Sequence, residues 1–381
     1  MAGDRLSRRD VLGGLVSAAA IGAAARGPAL ASPLTGEIRR SGGMLRLGSN
    51  ENATGLGPAA RAAFLAAADE ANRYPGGVWS TLVDALTSHH RVDRSWIHVT
   101  PGSGALLSAA TLAYTSASRA LVTAPPSFEA PARVAQRTGA TVHAVPVTAD
   151  GRLDLDAMLA KAASAGLIYV CNPNNPTGGG VPGTALTAFA ERLKTVAPEA
   201  RVLVDEAYFE YADEPGYATA VPLAVADPRV FVTRTFSKVF GMAGLRVGYA
   251  VGQAETMKAL GRYRLAFNVN VLGLAAAIAS LKDPAGVARE RDRNTEARGY
   301  TVQVLRELGC RATDSHTNFV FADIQRPAKQ FREACEARGI RVGRDFPPYE
   351  KTHVRVSIGT LDEMRRAAAV FRAVLGAPRA S

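Results

Sequence analysis

Short apolar runs recur along the chain at 97–100, 120–123, 141–145, 167–170, 202–204, 230–233 and 247–251. They alternate with helical stretches, such as 105–114 and 128–137, or with long loops. Runs this short and this apolar predict strands buried on both faces, in a mainly parallel sheet covered by helices. Ahead of them, residues 58–72 are alanine-rich with a proline at the start, which predicts a helix. Arg73-Tyr74-Pro75-Gly76-Gly77 breaks it, and 82–90 predicts a second helix. The texture changes after Asn268. Residues 271–281 and 286–308 predict long helices, the second studded with Arg and Glu and suited to bridging two domains. Strands at 318–322, 340–342 and 354–358 and helices at 328–338 and 361–375 then predict an α+β tail. The fold class expected is α/β, with a large domain at 58–270 and a smaller α+β domain at 271–381. A polar, turn-rich arm at 32–57 precedes them, and no internal repeat of fixed period is present.

The first 31 residues read as a targeting segment outside the fold. Arg5, Arg8 and Arg9 precede an uncharged, alanine-rich run at 11–25, and Ala29-Leu30-Ala31 offers a small-x-small cleavage signal. The run is too short and too alanine-rich for a comfortable membrane span, so no stable membrane anchor is expected. Ser7-Arg8-Arg9-Asp10-Val11-Leu12 resembles the twin-arginine export signal, which implies a bacterial protein moved across the membrane already folded. A periplasmic or exported location follows, or a cytoplasmic one if the signal is not used.

At 381 residues, 47% hydrophobic and 21% charged, the chain has the material for a large core and two domains and is not a disordered sequence. The net charge is +11, yet no Lys/Arg run exceeds two residues. That pattern points to solubility and attraction for anionic substrates, and away from nucleic acid. Cys171, Cys310 and Cys335 show neither CxxC spacing nor a Cys/His metal pattern, so no metal is expected.

The candidate chemistry centres on Lys238, within the segment TRTFSKVFGMAGLR that starts at Thr233. A lysine in an apolar, glycine-punctuated segment is costly unless paired or neutralised, and a desolvated lysine can form a Schiff base with an aldehyde. The alternative is a surface lysine on a loop. Four other stretches fall at strand ends, where open α/β sheets place ligands. Gly102-Ser103-Gly104-Ala105 opens a helix and can seat an anion, although Gly-Ser turns are common. In Cys171-Asn-Pro-Asn-Asn-Pro-Thr-Gly178, two Asn-Pro steps fix a loop from which Asn175 can offer its amide; a purely structural turn is the rival. Asp205, ending an apolar strand before Glu206-Ala207-Tyr208, needs a positive partner. A protonated pyridine nitrogen would serve, with Tyr208 bonding the same ring. A metal would serve too, but no histidine or third carboxylate accompanies it. Arg355, in the alternating stretch 353–359, can grip a carboxylate in two places.

Taken together, NPNNPTG, DEAY, TFSKVFGMAGLRVGY, FNVN and VRVSIGT, in this order, resemble fold-type I, class I/II pyridoxal-phosphate aminotransferases, within them the histidinol-phosphate aminotransferase branch. The resemblance runs from about Leu45 to the last helix. It implies the PLP-dependent transferase fold and pyridoxal 5'-phosphate as cofactor. Lys238 would carry the Schiff base and act as general acid/base, Asp205 would hold the pyridine N–H, and Tyr208 and Asn175 would contact the ring's phenolic oxygen. Ser103, Gly104, Thr235 and Arg246 would bind the phosphate, and Phe128 would stack on the ring. Tyr74 would reach the phosphate of the neighbouring subunit's cofactor, which implies a homodimer. Arg355 would bind the substrate carboxylate or an equivalent anion, and Arg344 a substrate phosphate or side-chain anion.

The implied reaction is ping-pong amino transfer between an amino acid or amine and a 2-oxo acid such as 2-oxoglutarate, with histidinol-phosphate transamination (EC 2.6.1.9) as the best single assignment. Rivals are a related lyase or decarboxylase of the threonine-phosphate decarboxylase type and a non-catalytic binding protein. Three positions depart from the branch. Asn50-Glu51-Asn52-Ala53 lacks the usual proline, Phe128 stands where tyrosine is frequent, and Ala105 stands where an acid is common. The export signal departs further, since histidinol phosphate is a cytoplasmic intermediate, and leaves room for another amine or amino acid.

Overall fold

Seven strands build the principal sheet of a computed structural model that describes residues 43–263, 265 and 267–376. The targeting segment 1–31 and residues 32–42 of the arm lie outside the described residues. In chain order the strands are β1 Leu45–Leu47, β2 Ile97–Thr100, β3 Ala120–Thr123, β4 Val142–Ala144, β5 Ala165–Cys171 and β6 Arg201–Asp205. They continue as β7 Val230–Thr235, β8 Gly248–Val251, β9 Arg311–Ala312, β10 Phe319–Asp323, β11 Ile340–Val342 and β12 His353–Ser357. The large sheet has the order β2-β8-β7-β6-β5-β3-β4. All its neighbours run parallel except at β8, which is antiparallel to both β2 and β7. This is the mainly parallel α/β architecture that the apolar runs predict. β5 is buried at every residue, so helices cover both faces.

The register of the central strands determines where chemistry can sit. Cys171 lies opposite Asp205, and Asp205 opposite Thr233, at the carboxyl ends of β5, β6 and β7. Side chains alternate across a strand, so neighbours in sequence face opposite ways. Asp205 and Thr233 share one face, joined by a 3.1 Å hydrogen bond from Thr233 Oγ1. Glu206 and Arg234 share the other: Arg234 donates from Nε and Nη2 to Glu206 Oε2 at 2.9 and 2.8 Å. The guanidinium also lies 3.7 Å from the Phe209 ring centroid. Both side chains are buried, and the pair fastens the β7 end to the turn after β6.

A second core lies beneath the three-stranded antiparallel sheet β12-β10-β9, among helices Pro284–Glu307, Ala328–Glu336 and Leu361–Leu375. Helix Leu361–Leu375 starts with a capping box: Glu363 N–H donates to Thr360 Oγ1, and Thr360 N–H to Glu363 Oε2. Two features depart from the sequence reading. The arm contains β1, a strand that pairs in parallel with β11 and is buried through Leu45 and Leu47. Helix Val271–Leu281, grouped above with the smaller domain, packs instead in the core of the large sheet through Leu274, Ala276 and Ala277. Its nearly continuous apolar surface suits full burial, whereas the charged texture that marks a change begins only with Pro284–Glu307.

The Arg234–Glu206 pair yields a stability prediction. Arg234→Met strands a buried carboxylate and should cost about 3–5 kcal/mol, read as a lower urea midpoint. Glu206→Gln in that background should restore part of the loss. A change in Arg234→Met no larger than that of an exposed substitution would show the pair to be incidental.

Candidate active site

A cavity of about 700 Å³ opens at the carboxyl ends of β5, β6 and β7. Lys238, Asp205, Tyr208, Asn175, Ser103, Gly104, Phe128, Thr235, Arg246, Arg344 and Arg355 all line it. Of the residues singled out from the sequence, Tyr74 alone lies elsewhere. It is 81% exposed and meets the ring of Phe267, itself 65% exposed, at 5.0 Å between centroids with the two rings tilted by 39°.

Lys238 follows β7 in a tight loop whose return, at Gly241, has a φ of +68°. A Cβ at Gly241 would strike the carbonyl oxygen of Gly55, so only glycine lets this loop press against the arm. Lys238 Nζ donates to Asn50 O at 3.1 Å. Burial first, and then the positive charge of Arg355, lower its pKa from 10.5 to about 8. An amine in that state is neutral, and so nucleophilic, over an accessible pH range.

Asp205 is 3% exposed. Its Oδ2 accepts from Tyr169 Oη at 2.9 Å and its Oδ1 from Thr233 Oγ1 at 3.1 Å. Burial raises its pKa to about 6, although both hydrogen bonds and Lys238 oppose the rise. Among the described residues no cation forms an ion pair with it. A carboxylate so placed favours a positively charged group in the cavity, which would draw its pKa down.

The opposite wall suits an anion. Helix Ser103–Tyr114 begins at Gly102 with no side-chain cap, leaving first-turn N–H groups free for a ligand. Gly102 has a φ of +80°, and a Cβ there would meet the Arg246 guanidinium. Arg246 donates to Ala243 O at 2.8 Å and Ser237 Oγ at 3.4 Å, and Ser237 Oγ lies 2.9 Å from Thr235 Oγ1. Two hydroxyls, a guanidinium and a helix terminus thus converge on one place.

Arg355 reaches the cavity from β12. Its Nη1 donates to Asn175 Oδ1 and its Nη2 to Gly48 O, both at 2.6 Å, while its buried Nε has no hydrogen-bond partner. Burial lowers its pKa to about 10, which leaves it charged at neutral pH. Arg344 lies nearer the mouth, with its guanidinium over the Phe346 ring at 4.4 Å, and pairs with Glu129.

Several residues of the site were not picked out from the sequence. Tyr169, Thr233 and Ser237 each carry a hydroxyl one strand position or one turn from a recognised residue, and β-alternation was the available signal. Arg332 and Arg341 also line the cavity but sit in helical and strand patterns that read as ordinary surface. Asn50 and Ser357 join two distant segments, and no local pattern predicts that meeting.

The site therefore offers an amine for a carbonyl, a carboxylate for a ring cation and a seat for a phosphate-like anion. Those are the features of pyridoxal 5'-phosphate, and the residues present fit it. The profile of the family "Aminotransferase class I and II" matches residues 43–371. The histidinol-phosphate aminotransferase of Moorella thermoacetica is 37% identical over 330 residues, covering 85% of this chain and 84% of that protein. The aromatic amino acid aminotransferase of Rhodococcus jostii is 39% identical over 320 residues, covering 83% and 86%. The solved histidinol-phosphate aminotransferase of Sinorhizobium meliloti, in complex with pyridoxal-5'-phosphate, superposes with a TM-score of 0.81 at 27% identity, covering 87% and 91%. With its matched profile, its relatives and a cavity fitted to that cofactor, the chain belongs to the class I and II aminotransferases and is a pyridoxal-phosphate enzyme.

Proposed function

We propose that this aminotransferase exchanges an amino group between histidinol phosphate, or a closely similar amino phosphate, and a 2-oxo acid such as 2-oxoglutarate. The observation that carries the reading is the concentration of arginines along one cavity: Arg332, Arg341, Arg344 and Arg355 on the substrate side, besides Arg246 at the phosphate seat. Arg344 and Arg355 both lie over the Phe346 ring, at 4.4 and 4.8 Å, so one phosphate monoester, with three free oxygens and up to two charges, can engage both where a carboxylate engages Arg355 alone. A substrate phosphate supplies the anion that Arg344 can exchange for Glu129.

The cofactor supplies an electron sink for the charge left when a proton leaves the amino-bearing carbon. In the proposed roles Asp205 keeps a proton on the ring nitrogen, and Tyr208 and Asn175 address the ring's oxygen substituent. Ser103, Gly104, Thr235 and Arg246 anchor the phosphate, and Phe128 covers the ring face. Lys238 Nζ takes the proton from the substrate carbon and returns it as general acid. Asn50 O receives the ammonium, which keeps Nζ in the cavity while it carries the proton. In the return half-reaction Arg355 receives the carboxylate of the 2-oxo acid.

A second reading follows from the Rhodococcus jostii relative, which is named for aromatic amino acids. We also propose that the enzyme is exported and dimeric. Ser7-Arg8-Arg9 before the uncharged run supports export, and a folded, cofactor-loaded enzyme suits twin-arginine transport. Tyr74, Leu265 and Phe267, at 81%, 73% and 65% exposure, form an apolar patch suited to a second copy, whose cofactor phosphate Tyr74 would reach.

Four predictions follow from these roles. Lys238→Ala should lower turnover by at least about 10²–10⁴-fold. The parent apoenzyme should recapture pyridoxal phosphate faster as pH rises, with a midpoint near 8, because only neutral Nζ attacks. A midpoint near 10.5 would contradict the role of burial. For Arg344→Leu, kcat/KM with histidinol phosphate should fall about 10- to 100-fold while phenylalanine is nearly unaffected. Phenylalanine as the better donor, unaffected by Arg344, would favour the aromatic reading, and CO2 release without pyridoxamine phosphate would favour a decarboxylase. Cell fractionation and light scattering should find a dimer outside the cytoplasm, retained inside by Arg8→Lys/Arg9→Lys and dissociated by Tyr74→Asp. A cytoplasmic monomer would refute both assignments.

A further inference from the structure

The side chain of Asn50 has no role among those above, yet the residue touches both Lys238 and Tyr208. It is 2% exposed and has a φ of 54°, a left-handed conformation unusual for a residue other than glycine. Its carbonyl accepts from Lys238 Nζ and from Asn318 Nδ2, both at 3.1 Å.

Its side chain is oriented by a chain of forced donors. The Asn50 N–H, which can only donate, points to Ser357 Oγ at 2.8 Å. A hydroxyl carries one proton, so Ser357 uses its own on Asn50 Oδ1, at 2.9 Å. That fixes the amide with Nδ2 toward Tyr208 Oη, at 3.0 Å. An amide nitrogen only donates, so Tyr208 Oη accepts there, and its single proton is free for a partner on the cavity side. Burial raises the phenol pKa, so that proton is retained. Ser357 lies two residues from Arg355 on β12, on the same strand face, which brings it to the arm beside the substrate arginine.

We propose that Asn50, oriented by Ser357, is a positioning residue that aims the Tyr208 proton at the ring oxygen of the cofactor and thereby sets the pH at which the lysine-bound cofactor loses its proton. A donor at that oxygen stabilises negative charge there, so the proton on the lysine nitrogen is held less tightly and leaves at lower pH. Without Ser357 the amide is free to turn, and with Oδ1 toward Tyr208 the phenol proton is drawn out of the cavity. The inference rests on Lys238 as the cofactor lysine and Tyr208 as the ring's neighbour.

The test is an absorbance titration of the holoenzyme. Ser357→Ala should raise the midpoint of the lysine-bound cofactor by about one pH unit, the size expected for loss of one charge-assisted hydrogen bond. Ser357→Thr, which keeps the hydroxyl, should restore the parent midpoint. Tyr208→Phe should raise it as well, and Ser357→Ala in that background should add nothing, because both act through one proton. An unchanged midpoint in Ser357→Ala, or an equal rise in both backgrounds, overturns the proposal. If Ser357→Ala does not fold, Asn50→Gly keeps the left-handed backbone and is read in the same two backgrounds, with the same two outcomes decisive. Failure of the underlying reading shows separately, as a pH-dependent chromophore that survives Lys238→Ala.

Discussion

The constraint on which the site depends is the burial of Asp205 at the carboxyl end of β6. A carboxylate there is unfavourable without a cation, and the sheet supplies only neutral donors, Tyr169 and Thr233. The register that places Cys171, Asp205 and Thr233 side by side also decides what surrounds it. One residue further on, alternation sends Glu206 and Arg234 to the other face, where the two charges neutralise each other. Two consecutive acids on one strand end thus meet opposite solutions. Glu206 is satisfied by the protein, and Asp205 is left to be satisfied by a ring cation. The first contributes stability, and the second gives up stability for the ability to hold a cofactor.

The same separation extends across the cavity. Lys238 is kept from a strong acidic partner, so burial and the charge of Arg355 lower its pKa to about 8. The anion seat at Ser103 and Arg246 is built from a helix terminus and hydroxyls, and among the described residues no carboxylate pairs with it. Among the described residues Asp205, Lys238 and Arg246 therefore each form no ion pair, and one ligand with a ring cation, a carbonyl and a phosphate answers all three. This is a stronger argument than any single motif, because separate electrostatic deficits would otherwise have to coincide by chance.

Much of this was legible in the sequence. The apolar runs located the strands because their short length and their β-branched residues resolve what periodicity alone leaves ambiguous between a buried strand and a buried helix. Lys238, Asp205, Asn175 and Arg355 could be read because each breaks an apolar or turn-rich context. What could not be read was packing between distant segments. β1 is three residues in a polar arm, too short for periodicity, and exists because β11 is there to pair with it. Helix Val271–Leu281 looked like the start of a new domain only because the charged helix after it changes the composition. Asn50 stood in a stretch notable for a missing proline, and nothing local indicated that its amide would meet Tyr208 or its carbonyl Lys238.

The arm gives that last point a wider meaning. It is covered by β11 at Leu45–Leu47, gripped by Arg355 at Gly48, by Ser357 at Asn50 and by Asn318 at Asn50 and Glu51. All of those contacts come from the second core. On its other side the arm touches Lys238 and Tyr208, which lie in the loops after β7 and β6 of the large sheet. A few residues thus lie between β12, which carries Arg355, and Lys238. An anion drawn to Arg355 competes with Gly48 O and Asn175 Oδ1 for the same guanidinium. Ser357 and Asn50 join β12 to Lys238 and Tyr208, so under the proposed roles a shift of β12 on binding would reach both groups. The arm, a segment whose sequence reads as little more than turns, is thus the hydrogen-bonded link between Arg355 and the pair Lys238 and Tyr208.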